Sequence, residues 1–266
     1  MFWRAPGIDR ARLTPRGEGQ PGPTSPHCPN TPIGHLRDRV PSPPCPIVSP
    51  PVADLIVTID GPAGTGKTTV SKAVALRLDI PRLDTGAFYR AAGLAALRAG
   101  IDLDDHAAIA EVVAELDLDQ DDGRMLMNGL DVSDEIRTQI ATEASSRVST
   151  LPEVRGLLVV YQRDWVARHD NRAVVEGRDI GSVVFPDATL KVYLDARPEV
   201  RAQRRAEESG EEYDGVLDEI RARDQRDSTR EVSPLMVPHD AVIIDTSDMP
   251  LDDVVEMVVG LALEAA

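Results

Sequence analysis

The residues whose types and spacing most clearly predict chemistry are glycines followed by a lysine and a threonine. Gly61, Gly66, Lys67 and Thr68 fit the pattern G-x-x-x-x-G-K-[ST] of a phosphate-binding loop. Glycines let the backbone wrap a phosphate with its N–H groups pointing inward. The helix that follows adds free N–H groups and a positive dipole end. Lysine at this position reaches the β- and γ-phosphates, and the threonine hydroxyl can bind Mg²⁺.

An ordinary glycine-rich turn is the simpler interpretation of this loop. However, an apolar β-branched run precedes it, and a helix-period pattern that includes Val70 and Val74 follows it. The context therefore favours a nucleoside triphosphate site. We expect the ATP contacts to come from Gly61, Pro62, Ala63, Gly64, Thr65, Gly66, Lys67, Thr68 and Thr69.

A second candidate site opens with Asp84 and Thr85, where a short apolar segment meets a predicted helix. In open α/β sheets, ligands bind at the carboxyl ends of the strands. Both residues can cap the helix and face a substrate, and Arg90 can bind a phosphate as a bidentate donor. A capped helix with a surface arginine is the simpler interpretation, and this segment taken alone favours it.

A third candidate, residues 176–181, follows another apolar segment. Gly177 and Gly181 flank the pair Arg178 and Asp179, which indicates a backbone held close to a ligand. A turn with an internal ion pair explains these residues equally well.

Arginines recur on one face of a charged helical stretch further along the chain. Arg223, Arg226 and Arg230 are spaced i, i+3, i+7, and Asp227 lies four residues after Arg223, where an ion pair would absorb part of the charge. A solvated charged helix is the usual meaning of such a pattern. Arginines that face a nucleotide, however, stabilise phosphoryl transfer.

The three candidates together, downstream of a phosphate-binding loop, predict a small phosphotransferase. The loop holds the donor, and Arg90 and Arg178 hold a phosphorylated acceptor. The arginine helix closes as a lid that excludes water, which would otherwise hydrolyse the donor.

Strands that alternate with helices must position these residues. Such alternation implies an α/β fold with a parallel sheet and helices on both faces. We predict strands at residues 55–59, 173–176, 190–194 and 241–244. We predict helices at residues 68–78, 85–99, 104–116, 134–148, 152–168, 198–209, 214–230 and 251–263.

Residues 117–132 have a different pattern. Two short runs flank Asp121-Asp122-Gly123, which is a hairpin signal, and Asn128-Gly129 follows as a second turn. We therefore expect a small β insertion here rather than part of the parallel sheet.

The first 51 residues hold 13 of the 21 prolines and lack periodicity. Such a segment cannot bury enough apolar surface to order itself, so we predict a disordered extension, 1–51, before a folded domain, 52–266. An initiation codon assigned too far upstream, with a product that begins near Val48 or Val52, is a second interpretation. A proline-rich docking tail is a third.

Composition excludes several classes of protein. The net charge of −16 argues against non-specific nucleic-acid binding, and no apolar run reaches the roughly 18–20 residues of a membrane span. Both cysteines, Cys28 and Cys45, precede the loop, so we expect no disulfide scaffold or cysteine metal site. No signal-peptide pattern opens the sequence, and we expect a cytoplasmic protein.

The motifs resemble those of the bacterial cytidylate kinases, the CMP/dCMP kinases of the nucleoside monophosphate kinase family. The resemblance implies a P-loop kinase fold over 52–266, with an acceptor-binding insert at about 84–170 and a helical lid at about 214–231. It spans about residues 54–263 and rests on residues 58–62, 83–87, 89–90, 135–138, 177–181, 184–188 and 223–230.

The resemblance also implies a role for each candidate residue. Lys67 and the loop amides bind the ATP phosphates, and Thr68, with Asp60 through water, supports Mg²⁺. Lys67, Arg178, Arg223 and Arg226 form the catalytic set. The acceptor contacts are Thr85, Ser146, Arg155 and Asp179 at the cytosine, Arg90 and Arg178 at the phosphate, and Asp227 and Arg230 near the ribose. No general base is needed, because the acceptor phosphate oxygen is already anionic.

Two alternatives stay open. A kinase for UMP, AMP or a metabolite alcohol would differ in its contacts at Ser146, Arg155 and Asp179, and an alcohol kinase would need a carboxylate base. A nucleotide-gated switch would hydrolyse ATP slowly and respond to a partner, although lid arginines within the same chain argue against it. We expect ATP and CMP or dCMP as partners, and a monomer.

Overall fold

A computed structural model describes residues 54–121, 123–230 and 232–266. The predicted disordered extension, 1–51, lies outside these residues. None of the helices in the described ranges is both long enough and apolar enough to cross a membrane.

Strands and helices alternate along the described chain, which confirms the predicted α/β class. The strands are β1 (Leu55–Asp60), β2 (Arg82–Asp84), β3 (Leu118–Asp121), β4 (Arg124–Met127), β5 (Leu130–Asp131), β6 (Arg172–Glu176), β7 (Leu190–Asp195) and β8 (Val242–Asp245). The helices are α1 (Lys67–Leu78), α2 (Thr85–Arg98), α3 (His106–Ala114), α4 (Gln139–Val148), α5 (Pro152–Arg168), α6 (Pro198–Ser209), α7 (Tyr213–Ser228) and α8 (Leu251–Ala265).

Five strands form a parallel sheet in the order β2-β6-β1-β7-β8. The carboxyl ends of parallel strands share one edge, where ligands bind in open α/β sheets. The phosphate-binding loop follows β1, the start of α2 follows β2, and residues 177–181 follow β6. The sheet order therefore brings the first three candidate segments to the same edge.

The two faces of the sheet pack against different helices. Along β6, Ala173 and Val175 belong to the core that α2, α4 and α5 cover, whereas Val174 belongs to the core that α1 and α8 cover. This alternation is the period of two that a β-strand imposes on its side chains. Because both faces of the sheet are buried, the sequences of its strands are nearly continuous apolar runs.

The predicted β insertion is a three-stranded antiparallel sheet in the order β3-β4-β5. The register runs from Leu118 opposite Met127 to Asp121 opposite Arg124, as the hairpin prediction requires. A turn with positive φ at Asn128 (53°) and the following glycine (75°) joins β4 to β5, which is typical of a tight two-residue hairpin.

The predicted continuous helix at 134–148 is wrong. A 3₁₀ turn, Glu135–Arg137, precedes α4, and Thr138 between them is extended, with ψ at 153°. The Thr138 hydroxyl accepts a hydrogen bond from the Ala141 amide at 3.3 Å. Threonine favours such a cap over a helix interior, so the chain starts a new helix here.

A single turn of π-helix, Ile180–Val184, was not predicted. The Asp60 carboxylate at the end of β1 accepts hydrogen bonds from the amides of Ile180 (2.8 Å) and Gly181 (2.7 Å). These contacts join residues about 120 positions apart, so no local pattern could indicate the turn.

Close packing of α2 against α4 is expected to make Gly93→Ala destabilising. A Cβ at Gly93 would lie 2.9 Å from the Ser145 amide nitrogen and 3.0 Å from the Ala144 Cβ. Forcing a methyl group into such a contact costs about 1–3 kcal/mol. Urea unfolding measures the loss, with Gly156→Ala as the matched control. Gly156 is also inside a helix, but an added Cβ meets no atom within 4 Å. Equal stability of the two variants would contradict the expected clash.

Candidate active site

A cavity of about 540 Å³ lies where the candidate segments meet. Its lining brings together residues of the phosphate-binding loop, the insert, α4, α5, α6 and α7. The predicted residues that line it are Ala63, Gly64, Gly66, Lys67, Thr68, Thr69, Asp84, Thr85, Arg90, Ser146, Arg155, Arg178, Asp179, Arg223, Asp227 and Arg230. Of the other predicted residues, Gly61, Pro62 and Thr65 are buried and Arg226 is exposed.

The carbonyl groups of the phosphate-binding loop are held by donors from other elements. Arg178 donates to the Gly61 carbonyl (3.1 Å), Lys67 to the Pro62 carbonyl (2.6 Å) and Arg201 to the Ala63 carbonyl (3.0 Å). With these carbonyls occupied by side-chain donors, the amide groups of the loop are left for a ligand. This is the arrangement that a phosphate requires.

The backbone of the loop needs glycine at two positions for different reasons. A Cβ at Gly61, whose φ is 143°, would lie 2.0 Å from the Leu194 carbonyl oxygen. Gly66, with φ at 86°, is the N-cap of α1 and offers no side-chain cap to its first turn. The amide groups of that turn therefore remain available to an anion.

Lys67 is buried under the loop, with 8% of its surface exposed. Burial and then the charge of Arg178 lower the pKa of its ammonium, while Glu176 raises it. The carboxylates around Lys67 therefore compensate its charge only in part. Phosphate groups would supply the missing negative charge, and the lysine would release the Pro62 carbonyl to reach them.

Arginines predicted to bind the acceptor are held by carboxylates. Arg178 Nε donates to Asp227 at 3.0 Å, and Arg230 donates to the other oxygen of the same carboxylate. Burial raises the pKa of Asp227, but Arg178 and Arg230 outweigh this effect and bring it below its usual value. The site thus holds two cations on one anion, and a phosphate can share them.

A similar pair is found at the start of α2. Arg90 Nη2 donates to Asp84 at 2.8 Å, and the other Asp84 oxygen accepts from the Ala87 amide at 3.2 Å. Asp84 therefore caps α2, as predicted, and also orients the arginine. Thr85 is 2% exposed and donates its hydroxyl to the Glu176 carbonyl at 2.6 Å, which joins α2 to the end of β6.

Arg155 and Asp179 form a buried ion pair on the cavity wall. The arginine is 3% exposed and the aspartate 4% exposed, and Arg155 also donates to the Ser149 carbonyl at 3.1 Å. Asp179 therefore pairs across the cavity lining and not with its neighbour Arg178. The pair presents a hydrogen-bond donor and an acceptor side by side, which is what the edge of a pyrimidine base can match.

The predicted lid helix, α7, shares a small core with α6. Ala202 of α6 packs with Val216 and Ile220 of α7. Between the helices, Arg201 and Asp224 form an ion pair at 2.7 Å. Because Arg201 also donates to the Ala63 carbonyl, α6 connects α7 to the phosphate-binding loop.

The predicted lid arginines differ in position. Arg223 lines the cavity, and burial followed by the charges of Arg178, Arg205 and Arg90 lowers its pKa to about 10, with Asp227 acting in the opposite direction. The expected ion pair between Arg223 and Asp227 is not formed, because Asp227 pairs with Arg178 and Arg230.

Arg226 lies outside the cavity. Its side chain is exposed, and its Nε donates to the Ala222 carbonyl one turn back at 3.3 Å. The spacing i, i+3 predicted that Arg223 and Arg226 lie on the same helix face. Only Arg223 of the two lines the cavity.

Asp60 does not line the cavity. It has no exposed surface, and both carboxylate oxygens accept backbone amides of the π turn. Burial raises its pKa to about 6, against the lowering effect of these hydrogen bonds. Its position indicates a structural role, in place of the predicted support for a metal.

Glu176 is a site residue for which no role was predicted. It is 3% exposed, accepts from Arg82 at 2.7 Å and from the Ser71 hydroxyl at 3.0 Å, and lines the cavity. Burial and the charge of Asp84 raise its pKa to about 7, while Arg82 and Lys67 lower it. Its place at the end of β6 was a signal, since polar residues there face the ligand edge.

Further lining residues were also missed. They are Arg82, Gln120, Arg137, Ser145, Ser149, Arg204, Arg205 and Glu208. Arg137 belongs to a segment that carries the resemblance, and that was an available signal. No sequence signal indicated Gln120, because the fold of the insert brings it to the site. Its side-chain amide oxygen accepts a hydrogen bond from the Asp84 backbone amide at 2.7 Å.

Glu176→Gln is expected to gain stability relative to the wild type as the pH rises. The folded-state pKa of about 7 lies above the ordinary value of 4.5. The stability gained from protonated Glu176 is thus full below pH 4.5 and is lost as the pH rises through 7. Glutamine stays neutral, so the difference in free energy of unfolding should grow by roughly 1–3 kcal/mol between pH 5 and 8. Urea unfolding across this range measures it, with exposed Glu111→Gln as the control. A constant difference would contradict the raised pKa.

A divalent metal fits this site only together with the phosphates of a nucleotide. In the described part of the chain, no three His, Cys, Asp or Glu side chains are grouped to hold a metal ion. Thr68 is exposed in the cavity at the start of α1. A single protein hydroxyl combined with phosphate oxygens and water suits Mg²⁺, which keeps several waters when bound.

The fold and the cavity together define a P-loop phosphotransferase. The family model described as cytidylate kinase matches residues 57–264. The chain belongs to the cytidylate kinase family.

Curated relatives agree over most of their length. A cytidylate kinase from Mycobacterium leprae is 50% identical over 215 residues, which are 79% of this chain and 96% of the relative. One from Rhodococcus jostii is 51% identical, covering 76% of this chain and 91% of the relative. Among solved structures, a shikimate kinase from Bacteroides thetaiotaomicron is 16% identical, with a TM-score of 0.42 over 80% of this chain and 99% of that one. This likeness is too distant to add to the assignment.

Proposed function

We propose that the protein transfers the γ-phosphoryl group of ATP to CMP or dCMP, which gives ADP and CDP or dCDP. The observation that carries the choice of acceptor is the buried pair Arg155–Asp179 on the cavity wall. Cytosine offers an amino donor at N4 and acceptors at O2 and N3. An arginine and an aspartate side by side match these groups, and Thr85 and Ser146 add hydroxyls nearby.

The phosphates have separate binding groups. The loop amides and Lys67 bind the donor phosphates, whereas Arg90 and Arg178 bind the acceptor phosphate. Asp227 and Arg230 contact the ribose. Arg223 stabilises the charge that builds on the transferring phosphoryl group. Positioning and charge stabilisation are sufficient for the reaction, because the attacking oxygen is already anionic.

Mg²⁺ is the proposed cofactor, held at the Thr68 hydroxyl. When bound, it neutralises charge on the donor phosphates. The protein contributes the hydroxyl, the amide cradle and the surrounding arginines.

The boundaries of the protein also form part of the proposal. Residues 52–266 are the kinase domain, with the acceptor-binding insert at about 84–170 and the lid at about 214–231. The match of the family model to residues 57–264 supports the extent of the kinase domain. We propose that the domain acts as a monomer in the cytoplasm, where ATP and nucleoside monophosphates are available.

ADP release in the presence of ATP and Mg²⁺ tests the proposal, with CMP, dCMP, UMP, AMP or no acceptor assayed in parallel. We expect fast turnover with CMP and dCMP, weak turnover with UMP, and negligible turnover without an acceptor. Equal rates with every nucleotide and with none would remove the kinase assignment in favour of a hydrolytic switch. Preference for UMP or AMP would keep the kinase class and change the acceptor.

A further inference from the structure

Tyr89 lines the cavity but has no part in the phosphoryl transfer described above. It lies in the first turns of α2. The Arg155 guanidinium is placed over its ring, with Cζ 5.4 Å from the ring centroid. Attraction between a cation and an aromatic face strengthens when the pair is removed from water, and Arg155 is 3% exposed.

Three groups from different elements hold this guanidinium. Asp179 and the Ser149 carbonyl accept hydrogen bonds from its two terminal nitrogens, and the Tyr89 ring covers its face. Its Nε has no hydrogen-bond partner within the described residues. Two hydrogen bonds leave the planar group free to tilt, and the ring face removes that freedom.

Tyr89 itself packs against the core that α2, α4 and α5 cover. Burial raises the pKa of Tyr89 to about 12, and the charge of Arg155 acts in the opposite direction.

We propose that Tyr89 is a positioning residue for the acceptor base: its ring sets the plane of the Arg155 guanidinium. This inference rests on the proposed function, in which Arg155 and Asp179 bind cytosine. A guanidinium that tilts presents its donors to either pyrimidine. Loss of the ring therefore weakens CMP binding and reduces the preference for CMP over UMP.

Substitutions that remove the ring test the proposal. CMP binding without ATP is measured by calorimetry, and turnover is measured with CMP and with UMP. Tyr89→Leu and Tyr89→Met should weaken CMP binding about tenfold and narrow the CMP-to-UMP preference, with ATP binding unchanged. Tyr89→Phe keeps the ring and should weaken CMP binding by no more than about threefold.

Two further variants make the outcomes distinguishable. Tyr161→Leu is the matched control, because Tyr161 is also half-buried against the same core but does not line the cavity. Arg155→Met tests the base site itself. If Arg155→Met weakens CMP binding while Tyr89→Leu and Tyr89→Met do not, the positioning role is wrong.

Other results also decide against one of the two proposals. If the wild type does not use CMP, the proposed function fails. If the wild type uses CMP but Arg155→Met leaves CMP binding unchanged, the base site is not at Arg155 and the positioning role is wrong. Tyr89→Leu and Tyr89→Met could also weaken ATP and CMP binding equally, and Tyr161→Leu could do the same. That result would indicate a general packing effect and overturn the positioning role.

Discussion

Replacing Lys67 by methionine is expected to lower kcat/KM about 10³-fold without lowering the stability of the protein. The ammonium is the only lysine charge among the residues that line the described cavity. It lies at the start of α1, where the proposed function requires the donor phosphates to bind. Methionine keeps the length and apolar volume of the side chain and removes the charge. The substitution therefore affects charge stabilisation more than packing.

Stability should move in the opposite direction to activity. Burial and the charge of Arg178 lower the pKa of Lys67, so the charged lysine is less favourable in the folded state than in the unfolded state. Removing it leaves the free energy of unfolding unchanged or higher, which urea unfolding at pH 7 measures. Lys72→Met is the matched control, because Lys72 is an exposed lysine on the same helix. A Lys67→Met enzyme with near wild-type kcat/KM would contradict the assigned role.

Local patterns were sufficient to predict most of the fold. The apolar run of β1, the helix period of α1 and the glycines between them depend on residues that are neighbours in sequence. The same holds for the turn at Asn128-Gly129, where the residue types fix the backbone. Both features are confirmed by the structure.

Features that depend on distant contacts could not be predicted. The π turn at 180–184 exists because Asp60, on another strand, binds its amides. The break at Thr138 depends on the Thr138 side chain capping a new helix, and the apolar pattern of residues 134–148 did not reveal that cap. Sequence therefore predicts elements well where the backbone is locally determined and poorly where a buried side chain from elsewhere decides.

The candidate site shows the same division. Lys67 and Thr68 were found by spacing, because the loop and the helix place them without help from the rest of the chain. Glu176 and Arg201 were missed as contributors, since their value comes from partners on other elements: Ser71 and Arg82 for the first, and the loop carbonyl of Ala63 for the second.

The arginines of α7 show how far spacing can mislead. Their spacing of three residues places Arg223 and Arg226 on the same side of α7. Arg223 nevertheless lines the cavity, whereas Arg226 is exposed. A difference of three residues rotates a side chain by about 60° from its neighbour, enough to separate the two at the rim of a cavity. Which one faces inward depends on how α7 packs against α6.

Arg223→Ala is therefore expected to lower kcat about 10³-fold, and Arg226→Ala at least tenfold less. A charge that acts mainly in the transition state affects kcat and kcat/KM equally, so KM for ATP and CMP should change little. Arg223→Lys keeps the charge but loses the bidentate donor and should recover part of the rate. Single-turnover kinetics separate this effect from product release.

Arg221→Ala is the control, because Arg221 is an exposed arginine of α7 that pairs with Glu199. A loss in Arg226→Ala as large as that in Arg223→Ala would show that the lid reorients before transfer, and that the inward position of Arg223 does not identify the catalytic arginine.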